Sequence, residues 1–304
     1  MLSFKLYTIN QLLLLLLAGQ LVTYPALGNS KIDFINNIIA KVQKERSVDT
    51  LLFMKCRQDI NCLLQEISPV GLATLRLDER TVFNVKKLFN SEALALVCMS
   101  KLADSQLLTT LAQNLDRMRE TRIVILTQII PSNLEELLLI VSEQANEYNL
   151  VNLIVLHSTS YDFEGPITTY RLQPFPSPIF ESVVDINDGP IFPKVWLNFH
   201  GKTAVILPDL FPPRSMLKTN PRTGEQKLCG SSDRFIMDFA QKHNISLRLQ
   251  QPLSEIGSMD ISDIFDMTKK GLIDLPIRPF VQTAWTIPAN IDWRYGTPNA
   301  LQAI

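Results

Sequence analysis

Residue types that could support catalysis are scattered along this chain rather than grouped. The three histidines, His157, His200 and His243, have no cysteine or carboxylate at the spacing of a metal-binding set. The sequence also lacks the nucleophile elbow, the zinc-protease helix, the phosphate-binding P-loop and the dinucleotide-binding glycine motif. We therefore predict no enzyme activity, no metal and no cofactor. An exported α/β hydrolase is the alternative, but no set of nucleophile, base and oxyanion donors can be assembled for it.

Hydroxyl and carboxylate side chains stand together at Gly230-Ser231-Ser232-Asp233, which resembles a nucleophile loop. The same residue types are required at a helix N-terminus, because their oxygens accept hydrogen bonds from free backbone N–H groups. We interpret this segment as a helix cap. Asp260, Asp263 and Asp266 recur every three residues on one helical face, and we interpret them as caps and partners of the helix dipole.

The four cysteines are Cys56, Cys62, Cys98 and Cys229, and four cysteines allow three pairings. The short loop between Cys56 and Cys62 favours a disulfide between those two residues. The chain also contains one glycosylation sequon, Asn244-Ile245-Ser246, so Asn244 is the expected glycan site if the chain is exported.

Length and composition predict about two domains with ordinary cores, since the chain has 304 residues of which 46% are hydrophobic and 19% charged. The formal net charge of −1 does not resemble that of a polybasic nucleic-acid binder, and we expect no nucleic-acid partner. Four cysteines and three histidines are too few for a dense disulfide scaffold or a zinc module.

The first 28 residues have the pattern of a signal peptide. Lys5 provides a positive start, an apolar run follows at 12–17, and Ala26-Leu27-Gly28 is a small-residue cleavage site. A retained membrane anchor is the alternative, although the apolar core is short for a span. We expect cleavage after Gly28 and export.

Residues 29–160 predict an α/β domain, because short apolar runs alternate with amphipathic helical patterns. Strands are predicted at 50–54, 93–99, 122–127 and 150–157. Two apolar stripes predict helices, the first through Leu107, Leu108, Leu111, Ala112, Leu115 and Met118 and the second through Leu134, Leu137, Leu138, Val141, Ala145 and Tyr148. The second helix is predicted to begin with a capping box at 131–135.

A proline-rich connector without strand ladders or helices is predicted at 161–194, since proline removes a backbone donor and restricts the residue before it. Its apolar residues Phe175, Ile179, Phe180 and Ile191 indicate that it lies against a domain surface.

The last block, 195–304, predicts a strand at 202–207, a proline-bearing loop, a polar hairpin at 218–227, a helix after Gly230 and a strand at 245–249. A further helix at 262–270 ends at Gly271-Leu272-Ile273-Asp274. This order, together with Asn198-Phe199-His200-Gly201-Lys202 and Pro212-Pro213-Arg214, resembles the ligand-binding domain of ionotropic glutamate receptors. It resembles their divergent insect chemosensory relatives more closely. The resemblance implies a partial ligand-binding lobe of the periplasmic-binding-protein type.

The residues that would contact ligand are carried over from the family's binding loop, which falls without gaps on 279–286. Pro279 and Thr283 match the family pattern, whereas Val281 replaces the ligand-contacting threonine and Thr286 replaces the arginine that clamps the ligand carboxylate. Leu228 falls near the family's ligand-covering tyrosine. A hydroxyl cannot replace a bidentate guanidinium, so glutamate is not the expected ligand. Arg278 could serve as a clamp only if the loop were rebuilt.

The resemblance implies the extracellular part of a chemosensory ligand-gated cation channel in the cell membrane, with pore, second lobe segment and last membrane helix to follow after Ile304. It further implies a small-molecule ligand and co-receptor subunits in a hetero-tetramer. The alternative is a secreted, soluble two-lobed binding protein of small molecules.

Overall fold

The computed structural model describes residues 30–277 except 60–61, 66, 68–70, 90–91, 117, 160–166 and 257–259. In this part the chain has a mixed α/β fold with a large, mostly parallel sheet of seven strands. A separate sheet has three parallel strands. We call these the large sheet and the small sheet. The predicted signal peptide lies outside the described residues.

The large sheet has the strand order β2-β1-β3-β4-β5-β6-β7, in which β1 to β5 are parallel and β6 and β7 are antiparallel. The reversal of chain order beside β1 is typical of doubly wound sheets. Its strands are β1 (Thr50–Met54), β2 (Ala73–Leu77), β3 (Ala93–Met99), β4 (Arg122–Thr127), β5 (Leu153–Ser158), β6 (Ile167–Gln173) and β7 (Ile179–Val183). The helices of this region are α1 (Ser30–Glu45), α2 (Val85–Leu88), α3 (Gln106–Asn114) and α4 (Leu134–Glu147).

Helices cover both faces of the large sheet, which is why its central strands are continuous apolar runs. All seven residues of β3 are buried. Successive side chains alternate between two cores, so that Leu52 packs in the cluster with α3 and α4 while its neighbour Leu51 packs in the cluster with α1. Each core therefore belongs to one face of the sheet.

The strands predicted at 50–54, 93–99 and 122–127 are confirmed, and the fourth runs from Leu153 to Ser158 rather than over 150–157. Both predicted helical stripes pack into the core, but Leu115 and Met118 lie beyond the end of α3 and Tyr148 lies beyond the end of α4. The capping box predicted at 131–135 is wrong, because Pro131–Asn133 forms a 3-10 turn in which the Ser132 hydroxyl donates to the Asn133 side chain, 3.2 Å away. Helix α1 and strand β2 were not predicted.

The prediction that prolines keep 161–194 out of any sheet is also wrong. Strands β6 and β7 form a hairpin that extends the large sheet, closed by the pair Gln173 and Ile179. Pro174, Pro176 and Pro178 all lie in the turn between them, where no ladder donor is needed. After β7 the chain packs back onto α1, and Ile191 is fully buried in the α1-side core.

The small sheet has the order β11-β8-β12, with β8 in the centre. Helix α5 packs on one face through Ile236 and helix α6 on the other through Ile264. A two-stranded hairpin, β9 with β10, leads from β8 toward α5. The elements are β8 (Thr203–Pro208), β9 (Leu217–Thr219), β10 (Gln226–Leu228), α5 (Ser231–Lys242), β11 (Ser246–Leu249), α6 (Ile261–Lys269) and β12 (Leu275–Ile277).

Aromatic rings join the β6–β7 turn to the region of the small sheet. The ring centroids of Phe175 and Phe199 are 4.3 Å apart, and the Lys202 ammonium lies 5.3 Å from the centre of the Phe175 ring. Such a cation above an aromatic face is attracted by the ring's negative quadrupole. Among the described helices, none combines the length and the apolar character needed to cross a bilayer.

Candidate functional site

The carboxyl edge of the small sheet is the candidate ligand site, because open α/β sheets bind ligands outside the carboxyl ends of their strands. Strand β8 ends at Pro208, which pairs with Ile277, the last residue of β12. Ile277 therefore lies beside the end of β8, and the predicted binding loop comes after it in the sequence. Arg278, Pro279, Val281, Thr283 and Thr286 themselves lie outside the described residues.

An ion pair between a buried carboxylate and a half-buried guanidinium occupies the described part of this edge. Asp209 follows β8 directly, its side chain is 1% exposed, and one carboxylate oxygen lies 3.3 Å from the Arg214 guanidinium. The other oxygen accepts the Phe211 N–H at 3.2 Å, and the Arg214 guanidinium lies 4.8 Å from the centre of the Phe211 ring. The pair fixes the conformation of the proline-bearing loop and offsets the charge of Arg214.

Asp209 was not identified from the sequence as part of the site. Its position in the sequence could have identified it, since a carboxylate directly after a buried parallel strand lies at the sheet edge where ligand sites form. Arg214 was identified only as part of the Pro212-Pro213-Arg214 likeness.

The proline-bearing loop also caps helix α5. The N–H groups of Ser231 and Ser232 donate to the carbonyl oxygens of Pro213 and Arg214, at 3.2 and 2.9 Å. Since the first N–H groups of a helix have no partner within it, these bonds satisfy two of them. The loop at the candidate site and the start of α5 are therefore one connected structure.

The segment Gly230–Asp233 is a helix cap, as predicted. The Asp233 carboxylate is completely buried and accepts the N–H groups of Gly230, at 2.6 Å, and Met216, at 3.2 Å. Both N–H groups donate to Oδ2, and this one oxygen holds the hairpin against the helix start. Asp260 is confirmed as the cap of α6, with one oxygen 3.4 Å from the Ser262 nitrogen.

Leu228, which falls near the family's ligand-covering tyrosine, lies at the end of β10 opposite Leu217. Its half-buried side chain packs against the core cluster that contains Ile236. In the described structure it anchors the hairpin to the α5 face of the small sheet.

The predicted pairing of Cys56 with Cys62 is wrong, because Cys62 is bonded to Cys98. Cys56 follows β1 and packs on the face of the large sheet that α3 and α4 cover. Cys62 and Cys98 lie in the core on the opposite face, which α1 covers. The sheet therefore separates Cys56 from both. Loop length alone could not reveal this, since the face on which each thiol lies depends on the strand register.

Cys56 carries a free thiol that donates to Asp104, 3.3 Å away. Burial, followed by the hydrogen bond to Asp104, raises the pKa of the Cys56 thiol to about 12. The thiolate is the reactive form of cysteine, so this thiol is protected from reaction at neutral pH.

The three histidines make separate local contacts. The buried His157 pairs through Nε2 with the Ile129 carbonyl at 2.9 Å, and His243 pairs through Nδ1 with the Trp196 carbonyl at 3.0 Å. His200 is exposed and has a positive φ of 51°. These contacts position loops and do not bring the rings together.

Asn244 is exposed directly after α5, at a positive φ of 54°. Its side-chain nitrogen donates to Asn198 at 3.0 Å. The predicted glycan site is thus accessible at a turn.

No model of a known protein family matches this chain. No curated protein sequence matches it either.

Proposed function

We propose that this chain is the extracellular part of a divergent ionotropic receptor subunit, a chemosensory ligand-gated cation channel of the cell membrane. In this proposal residues 195–304 provide the first segment of a two-lobed ligand-binding domain. Co-receptor subunits would complete a hetero-tetramer, as the resemblance in the sequence implies.

The observation that carries the proposal is the arrangement of the small sheet. Its chain order of strand, hairpin, helix, strand and helix agrees with the order on which the resemblance rests, and β12 follows these elements. Its β11-β8-β12 order places the central strand beside β12, so that the chain enters the binding loop at the carboxyl edge. A binding loop that begins elsewhere could not face a cleft at that edge.

The proposed ligand is a small molecule other than glutamate. Val281 and Thr286 stand where the family has the threonine and arginine that hold an amino acid. A cation described at the same edge, Arg214, directs its terminal nitrogen Nη2 at the Asp209 carboxylate, so its terminal nitrogens are not both available to clamp a ligand carboxylate. Neutral ligands avoid the cost of bringing an unpaired carboxylate to this edge.

Calorimetry on a soluble fusion of both lobe segments from the complete reading frame would test the proposed ligand class. Titration with glutamate and glycine should give no micromolar binding, because each lost charge-assisted hydrogen bond costs ~1.5–3 kcal/mol, or about tenfold or more in affinity. Neutral sugars and amines form the second panel.

The matched variant Val281→Thr/Thr286→Arg restores the family residues and should raise the affinity for glutamate at least about tenfold. Micromolar glutamate binding by the wild-type fusion, unchanged in Arg278→Ala, would contradict both the alignment of the loop and the ligand class.

A further inference from the structure

A cavity of about 480 Å³ lies in the large sheet, away from the candidate site described above. It opens where β1 and β2 end, beside the paired residues Met54 and Leu77. Its apolar lining includes Phe53 and Leu64, and its size falls within the range of small-molecule sites. The carboxyl ends of strands in a doubly wound sheet are also where such sites form.

The cavity carries an excess of positive charge although the whole chain has a net charge of −1. Among the described residues, its lining contains three cations, Lys55, Arg57 and Arg76, and one carboxylate, Asp78. A second carboxylate, Glu79, lies beside the lining and accepts the Arg57 N–H at 3.0 Å. The excess is therefore a local property of this cavity. An anionic group would be attracted to it, and the apolar floor would accept an apolar body.

Arg76 builds the wall of the cavity. Its guanidinium donates to the carbonyl oxygens of Leu64, at 2.6 Å, and Ile67, at 2.7 Å, and lies 5.1 Å from the centre of the Phe53 ring. Carbonyl oxygens are neutral, so these bonds fix the side chain in place without cancelling its charge.

Arg57 is held in position by Asp78, which accepts a hydrogen bond from its Nε. A guanidinium has five N–H donors, and this contact uses one of them. Asp78 is itself fixed by the Thr81 hydroxyl at 2.7 Å and the Arg80 N–H at 3.0 Å. Asp78 therefore holds the Arg57 side chain in place, and the terminal nitrogens of Arg57 remain as donors at the rim of the cavity.

Lys55 supplies the second set of donors. Its ammonium donates to the Asp59 carbonyl at 2.6 Å, and two of its three N–H donors are left for another acceptor. A carboxylate has two oxygens with about four acceptor positions, which suits an ammonium and a guanidinium together.

We propose that this cavity binds a small organic carboxylate with an apolar body, held by Lys55 and Arg57 over the apolar residues at the ends of β1 and β2. The site is independent of the proposed ligand site on the small sheet. It would give the chain a second small-molecule specificity.

Calorimetry on the purified full chain tests the site with phenylacetate and its neutral counterpart phenylacetamide. These probes share an aromatic body and differ in charge, so phenylacetate should bind at least about tenfold more tightly. Lys55→Gln and Arg57→Gln should each weaken phenylacetate binding about tenfold. Lys87→Gln and Arg234→Gln remove the same charges at exposed positions outside the cavity and should leave the affinity unchanged.

Because Arg57→Gln also releases Asp78, Gln65→Trp serves as a second variant that fills the cavity from its exposed rim and keeps every cation. It should abolish binding in a protein whose thermal unfolding is unchanged. Equal affinity for the two probes, no binding of phenylacetate, or equal loss in the Lys87 and Arg234 controls would overturn the proposal.

Discussion

The backbone of Gly230 lies directly against the backbone of Arg214. A Cβ atom at position 230 would stand 2.0 Å from the Arg214 carbonyl oxygen and 2.6 Å from the Cα atom of Ser215. Only glycine allows this approach, which lets the proline-bearing loop cap helix α5. The glycine that contributes to the receptor resemblance thus has a physical role at the edge of the proposed ligand site.

Gly230→Ala should lower the free energy of unfolding by about 3 kcal/mol, because a fixed backbone rather than a flexible side chain must move. Urea unfolding of both proteins measures the difference. Ser231→Ala, on the exposed first residue of α5, is the matched control and should change stability by about 0.5 kcal/mol at most. A Gly230→Ala protein as stable as wild type would show that the close approach is absent in solution.

Non-reducing peptide mapping should recover Cys62 linked to Cys98, with Cys56 as a free thiol. The bridge closes a sequence separation of 36 residues, and its removal in a Cys62→Ala/Cys98→Ala variant should cost about 4 kcal/mol of stability in the chain-entropy account. Cys56→Ala is the control and should leave the linked peptide in place. Recovery of a peptide that joins Cys56 to Cys62 would contradict the arrangement of the large sheet.

The strands at 50–54, 93–99 and 122–127 could be predicted because buried parallel strands leave a strong local signal, a continuous apolar run. The helix cap at Gly230–Asp233 could be predicted for the same reason, because its signal lies in four consecutive residues. Hairpin β6–β7 was missed because the prolines were counted over the whole segment, whereas only their positions relative to the ladder matter.

The disulfide and the cavity could not be predicted for a different reason. Both depend on which side chains share a face or an edge after the strands align, and this information is non-local. Arg76 and Phe53 belong to separate strands and meet only because β2 pairs with β1. The spacing of Phe53 and Arg76 in the sequence does not predict that contact.

Asp78 should stabilise the fold in a pH-dependent way. Hydrogen bonds from the Thr81 hydroxyl and then from Arg57 hold the pKa of Asp78 well below its ordinary range. Its contribution is therefore complete above the unfolded-state pKa of roughly 4 and is lost progressively as the pH falls below that value. Asp78→Asn should cost about 1–2 kcal/mol near neutral pH and less in acid.

Urea unfolding at about pH 7 and about pH 3 measures this change, with the exposed Asp238→Asn as control. A stability difference between wild type and Asp78→Asn that grows as the pH falls would contradict the assignment.

Asn244 should carry a glycan when the chain is expressed in an insect secretory host, since it is exposed at a turn and part of a sequon. Glycosidase treatment should lower the apparent mass of the wild type. Asn244→Gln should show the lower mass before treatment, while Asn198→Gln, which removes the hydrogen-bond partner of Asn244 and keeps the sequon, should behave as wild type. An unchanged wild-type mass would contradict glycosylation.

The sequence of the full-length transcript beyond the codon for Ile304 tests the proposed function most directly. The receptor proposal predicts an in-frame continuation with three hydrophobic pore segments, a second ligand-binding segment and a last membrane helix of about 20 apolar residues. A stop codon that immediately follows Ile304, or an in-frame continuation without hydrophobic segments, would contradict the proposal that this chain belongs to a ligand-gated channel.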